Sequence, residues 1–353
     1  MRFRKFLECA FVWLGCAAGT QACERPRTAA QEHGAQLYGR MCAICHGRSG
    51  QGFAADEAPA LANSDFLASV SDEQLRRAIA FGRSATTMSA WSSTRGGPLS
   101  PNDIESLVAF IRSWARQPLA RLDEGPRSGD AGRGSAVYSK ECAACHGAAG
   151  VAGPQVHIGN AQFLADATDG YLRYAIGRGR AGTKMAGFER TLGHTGVEDT
   201  LALLRSWQST PSAARPEPPA PPPPLPLGPV PLNVRGPEPV GFRSYPATMS
   251  VDAVKKELDR GARMGILDAR TPSDYVNEHI AGAVSVPFYD PEPYFSALPK
   301  SAWLICYCAC PHAESGQLAQ KLLGKGFTKV TVLDEGLGVW RARKFPTQKG
   351  TLP

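Results

Sequence analysis

The sequence predicts a multidomain chain: two small all-α domains followed by an α/β domain with a parallel sheet. Three observations carry this prediction. A helical segment of about 90 residues occurs twice, a proline tract closes the second copy, and beyond Gly241 apolar runs alternate with amphipathic stretches. The length agrees, because 353 residues make two or three domains at roughly 150 each. Hydrophobic residues at 43% and charged residues at 20% exclude a wholly disordered chain. The net charge of +7 is not gathered into basic runs, so nothing points to nucleic acid as a partner. The 29 prolines and 10 cysteines are unevenly placed, and their positions mark both the domain boundaries and the chemistry.

Residues 1–23 read as a signal peptide or a lipoprotein leader. Arg2, Arg4 and Lys5 precede an apolar run, broken by Glu8, that is too short for a stable membrane span. Cys16 and Cys23 are the two candidate lipid-attachment positions, although Trp13 and Thr20 are poor residues for the place three positions upstream. The expected location is exported and periplasmic, with a membrane-anchored lipoprotein as the alternative. No other stretch reaches the roughly 18 apolar residues of a transmembrane helix, so membrane association rests on that lipid anchor alone.

The repeat is aligned by Cys42-Ala-Ile-Cys45-His46-Gly47 and Cys142-Ala-Ala-Cys145-His146-Gly147. A short helical pattern with Tyr38 or Tyr138 precedes each motif. A loop with Pro59 or Pro154 comes next, then Asn63-Ser-Asp-Phe-Leu67 or Asn160-Ala-Gln-Phe-Leu164. Each copy then has a helix, a methionine in a loop (Met88, Met185) and a closing helix over 104–114 or 200–207. Ser100 with Asp103 reads as the capped start of the first closing helix.

Cys-x-x-Cys-His is the attachment motif for c-type haem. One helical turn presents both sulfurs to one haem edge as thioethers, and the adjacent histidine becomes an axial iron ligand. A zinc site would call for a second Cys or His pair close by. Two copies with matched flanks therefore predict two covalently attached haem c groups, held by Cys42, Cys45, Cys142 and Cys145.

The copies resemble class I cytochrome c domains, over residues 30–118 and 130–210. The resemblance implies that His46 and His146 are the proximal iron ligands and that Met88 and Met185 are the distal ones. His157 and His194 are the alternative ligands, and Pro59 and Pro154 are the expected carbonyl partners of the two proximal histidines. Methionine ligation raises the potential and fills the sixth iron position. That favours electron transfer and weighs against a dihaem peroxidase, which needs one accessible iron.

Residues 211–240 read as a linker. The stretch 211–239 holds 13 of the 29 prolines, with Pro221 to Pro224 in a row. Proline cannot pair its nitrogen in a helix or sheet interior, so a polyproline II spacer of at most about 90 Å is expected. A recognition tract for a proline-binding domain is the competing reading.

Over 241–353 the pattern is α/β. Helices are expected behind Ser250, over 272–279 and over 315–323; strands over 264–268, 283–286, 302–308 and 329–333. This part resembles a rhodanese domain through Leu267-Asp268-Ala269-Arg270-Thr271-Pro272, His279-Ile280-Ala281-Gly282-Ala283, Gly336 and Trp340. The resemblance implies a nucleophilic cysteine at the end of a central strand, in a loop whose amides favour a thiolate and then a persulfide. Cys308 stands in that place, with Cys310 as the alternative nucleophile or a resolving thiol. Here the chain departs from the pattern. The loop is longer by about one residue, and Glu314 stands where a cation is expected, which disfavours an anionic donor such as thiosulfate. His312 is a candidate for the missing positive charge. Cys306 is expected to point into the sheet, and Asp268 and Arg270 to be structural.

The sequence thus predicts periplasmic electron transfer through two haems, coupled to persulfide handling on Cys308. The expected partners are a redox protein or a membrane respiratory complex, with a sulfur compound as substrate. The alternative is a pure electron carrier whose rhodanese-like domain is a non-catalytic binding module. The sequence leaves open whether that domain is an active sulfurtransferase.

Overall fold

The computed structural model describes residues 26–52, 58–83, 86–151, 153–208, 230–309 and 312–353. The expected leader, Cys310 and most of the expected linker lie outside them.

The first domain runs α1 (Ala29–Met41), α2 (Ala43–His46), α3 (Ser64–Ser69), α4 (Asp72–Phe81) and α5 (Pro101–Arg112). The second repeats the order: α6 (Ala131–Glu141), α7 (Ala143–His146), α8 (Ala161–Asp166), α9 (Asp169–Arg178) and α10 (Glu189–Ser206). Local chemistry starts these helices in matched places. Asn63 and Asn160 cap α3 and α8, and Ser71 and Thr168 cap α4 and α9, each accepting a bond from the backbone N–H three residues on. The expected cap at Ser100 is present as a reciprocal pair, Ser100 N to Asp103 Oδ2 and Asp103 N to Ser100 Oγ.

In each copy the first and last helices cross at a glycine. A Cβ on Gly34 would lie 2.0 Å from the Ser106 carbonyl oxygen, and one on Gly134 would lie 2.0 Å from that of Asp199. Only a residue without a side chain lets the two backbones meet this closely. The closing helix of the second copy starts earlier than its expected 200–207. Helical bonding continues back to Glu189 across a break at Gly193 (φ 63°), and that break hides the helical period in the sequence.

The C-terminal domain has a five-stranded, wholly parallel sheet in the order β1-β6-β5-β2-β4: β1 (Thr248–Met249), β2 (Met264–Asp268), β4 (Ala283–Ser285), β5 (Trp303–Tyr307) and β6 (Val330–Leu333). A two-residue antiparallel pair, β3 (His279–Ile280) with β7 (Thr347–Gln348), ties the chain end down. Helices α11 (Val251–Asp259), α12 (Pro272–Asn277), α13 (Ala313–Gly324) and α14 (Gly336–Ala342) flank the sheet. The central strands β2 and β5 are almost completely buried, which is why they read as unbroken apolar runs rather than as alternation. Part of the expected linker belongs to this domain. Val230 is buried, Asn233 Nδ2 donates to Gly261 O (2.7 Å), and Arg263 N donates to Pro237 O (2.8 Å).

Candidate functional site

Each Cys-x-x-Cys-His segment is one helical turn set against the end of the preceding helix. Cys42 is the last cap of α1 and the first of α2, and Cys142 does the same between α6 and α7. Tyr38 and Tyr138 donate their hydroxyls to Gly47 O and Gly147 O, both at 2.8 Å. Each tyrosine ring packs edge-on against the tryptophan that follows the closing helix, Trp114 or Trp207. The turn is thereby fixed from both sides.

His46 Nδ1 lies 3.0 Å from Pro59 O. A carbonyl only accepts, so Nδ1 carries the proton and Nε2 keeps its lone pair for a metal. Burial lowers the His46 pKa, partly offset by that bond, and so favours the neutral ring. In the second copy the partner is Val156 O (2.8 Å) and not Pro154 as expected. The intervening loop is three residues shorter there. Counted back from the asparagine caps Asn63 and Asn160, Pro59 and Val156 hold the same place.

The methionine loops are also built alike. Arg83 N donates to Met88 O (2.8 Å) and Arg180 N to Met185 O (2.9 Å). Thr86 Oγ1 bridges Arg83 O and Met88 N, and Thr183 Oγ1 bridges Arg180 O and Met185 N. The sequence places both methionines in glycine- and threonine-bearing loops but did not single out the arginines, although Gly-Arg-x-x-Thr-x-Met stands in both copies.

Both Cys-x-x-Cys-His turns, Met88 and Met185 line one continuous cavity of about 1330 Å³. In each copy an imidazole, a thioether and two thiols open on it, and this donor set fits haem c. Burial pushes the Cys42 thiol up to about 12 and, with help from Glu141 and Cys145, the Cys142 thiol up to about 11. His157 also lines the cavity, while His194 is exposed on α10.

In the α/β domain Cys308 follows β5, is fully buried, and has its Sγ 3.4 Å from Ser315 Oγ. Its carbonyl accepts from Leu337 N (3.0 Å) at the start of α14. Glu314, in the first turn of α13, is buried. Burial, and then the proximity of Cys308, hold its carboxyl well above the usual range. The shift favours the protonated form of this carboxyl. His312 Nε2 is hydrogen-bonded to Asp334 Oδ1 (2.5 Å). Cys306 is buried in the core, and burial raises its thiol pKa. Arg270 is held by both oxygens of Asp268 and by Glu278 O, and Tyr307 donates to the same Asp268. That arrangement is the structural role expected of both residues.

The three domains meet around the cavity, which Asp274, Ala309 and Glu314 also line. Asp166 of α8 accepts from Arg77 Nε (2.8 Å) and Arg83 Nη1 (2.9 Å) of the first domain. In the reverse direction Asp65 accepts from Ala181 N (2.7 Å) and Asn63 donates to Ala181 O (2.8 Å). The first domain also meets the α/β domain. Ser89 Oγ donates to Asp274, Ser273 Oγ donates to Ala90 O (3.1 Å), and Trp91 packs on the rings of Phe288 and Tyr289.

Fold and site together define a tandem of c-type cytochrome domains joined to a rhodanese-like α/β fold. Residues 29–111 and 129–203 match the family described as cytochrome c oxidase, cbb3-type, subunit III, and residues 250–343 match the rhodanese-like domain. The chain thus carries two cytochrome c domains and a C-terminal rhodanese-like domain. It is similar to the cbb3-type cytochrome c oxidase subunit FixP of Bradyrhizobium sp. strain ORS 278, at 29% identity over 50% of this chain and 61% of that protein. The FixP of Bradyrhizobium diazoefficiens is 27% identical over 44% of this chain and 54% of its own length. The chain therefore spans only about three-fifths or half of these curated relatives. The crystal structure of the Alr3790 protein from Anabaena sp. is 32% identical over 29% of this chain and 80% of that one, with a TM-score of 0.28. Among the described residues no helix is long and apolar enough to cross a membrane.

Proposed function

We propose that this protein transfers electrons through two covalently attached haem c groups and handles sulfane sulfur on Cys308 of its rhodanese-like domain. Cys42 and Cys45 hold the first haem and Cys142 and Cys145 the second. His46 with Met88, and His146 with Met185, are the axial pairs. Bound haem supplies a one-electron iron couple, and methionine ligation sets that couple at the high-potential end. The chain's own residues do the rest. Pro59 O and Val156 O orient the imidazoles, and the paired arginine–threonine loops present the thioethers. The working location is the periplasm, and the partners are a redox protein or respiratory complex and a sulfur compound.

One observation carries the coupling of the two activities. The cavity lined by both haem motifs extends to Ala309 and Glu314, which flank the Cys308 loop. In the sulfur step the Cys308 thiolate attacks the outer sulfur of a donor. An S–S bond forms on Cys308, and the donor leaves with the electron pair of its own broken S–S bond. The raised carboxyl pKa of Glu314 lessens the repulsion that an anionic donor would meet beside the sulfur.

The test uses wild type, Cys308→Ser and Cys310→Ser. Intact-mass analysis after exposure to sulfane donors should show a gain of one sulfur atom in wild type and Cys310→Ser and none in Cys308→Ser. Haem reduction on addition of sulfide or persulfide is followed in the same samples. Equal behaviour of all three proteins in both assays would favour the second reading, a non-catalytic docking module. The complete burial of Cys308 is the observation that keeps this second reading in play.

A further inference from the structure

The two methionine loops are built alike up to the methionine and differ just after it. In the first copy Ser89 is buried and donates to Asp274 of α12, and the Ala90 carbonyl accepts from Ser273. Both partners belong to the rhodanese-like domain. In the second copy the same places hold Ala186 and Gly187, which are exposed. Among the described residues, no hydrogen bond from the rhodanese-like domain reaches 186–188. The anchor one step further on is common to both copies: Trp91 N donates to Ile79 O and Phe188 N to Ile176 O. The clamp on residues 89 and 90 is therefore an addition specific to the first site.

Its holder is hydrogen-bonded within itself. Thr271 Oγ1 accepts from the backbone N–H of Asp274 and is hydrogen-bonded to Ser273 Oγ (2.7 Å), so both clamping residues are set by one capped turn. The nearby Arg270 is engaged by Asp268, which leaves the Asp274 carboxyl to meet Ser89. We propose that Asp274 is a positioning residue for Met88. It closes the distal loop of the first haem site from the rhodanese-like domain, so that ligation at this site, and not at the second, depends on how that domain is docked. This rests on the assignment of Met88 and Met185 as iron ligands.

The full-length holoprotein tests it through its ferric thioether-to-iron absorption band and its two midpoint potentials. Asp274→Ala is expected to lose about half of the band and to lower one midpoint. Ser89→Ala, which removes the other partner of the same bond, should act alike. Asp274→Asn keeps an acceptor for Ser89 and should restore both signals. Met88→Ala should lose the same half, and Met185→Ala the other. Adding Asp274→Ala to Met185→Ala should then remove the band entirely. The proposal is overturned if Met88→Ala loses half of the band while Asp274→Ala and Ser89→Ala keep all of it. If Met88→Ala itself keeps the whole band, the ligand assignment fails and takes the proposal with it. Should Asp274→Ala fail to fold, Ser89→Ala against Asp274→Asn decides alone.

Discussion

Glu314 is the residue whose chemistry the fold changes most. As a charge it would oppose the thiolate of Cys308; burial beside that sulfur favours its protonated form instead. An unfolded glutamate ionises near about pH 4.3, and the folded one ionises at higher pH. Between those values the native chain binds more protons than the unfolded chain, so stability falls as pH rises through this window. Glu314→Gln removes the effect. Calorimetry is expected to show equal unfolding temperatures for variant and wild type near about pH 4, and a more stable variant near about pH 8. Asp274, also raised by burial, adds a slope of the same sign that the variant retains. A variant less stable than wild type at the higher pH would show that the charged form is the native one. From sequence Glu314 was legible as a departure from the rhodanese pattern. Its protonation was not, because that depends on the groups packed over it.

Among the elements, the haem-binding turns were legible because they are local and repeated. The Cys-x-x-Cys-His turns, the tyrosines before them and the Asn-x-x-Phe-Leu segments after them stand in both copies, whereas the glycine crossings carry no such signal. The contact between the copies was not legible, because it breaks the repeat. Asp166 in α8 corresponds to Ser69 at the end of α3, so alignment marks it as a difference without saying what it meets. Its side chain is almost wholly buried between Arg77 and Arg83 of the other copy. Removing one member of such a group leaves the rest short of a partner, at a cost of about 3–5 kcal/mol when all are buried. Both arginines are partly exposed, which places Asp166→Ala at the lower end, about 3 kcal/mol. Denaturant unfolding followed by haem absorbance is expected to show that loss. Because Arg83 N also holds the Met88 carbonyl, the first site should loosen before the second. A change below about 0.5 kcal/mol would mean that water replaces the carboxylate freely.

At the scale of the molecule, the sequence divides the chain into beads on a proline spacer, whereas the structure docks the third bead on the first. The surfaces responsible combine an aromatic contact with a few hydrogen bonds and are distant in sequence. Trp91 is buried where its ring meets Phe288 and Tyr289, and Arg40 reaches the Tyr289 carbonyl from α1. No periodicity announces such a pairing, since Trp91 reads equally well as core of its own domain. The docking bears on Cys308, because the cavity wall formed by Ala309 and Glu314 faces the cytochrome domains. Trp91→Ala deletes a buried aromatic side chain, a change that costs about 3–5 kcal/mol in a packed site. If roughly 1.4 kcal/mol of this falls on the docked state, opening becomes about tenfold more frequent. The measurement is the rate at which a maleimide labels Cys308 in the full-length holoprotein, in a Cys310→Ser background, read by peptide mass. Trp91→Ala should raise that rate about tenfold or more, while Cys306, buried in the sheet, remains unlabelled. An unchanged rate would mean that Cys308 is closed off by its own domain, and that access to the sulfur site is independent of the cytochromes.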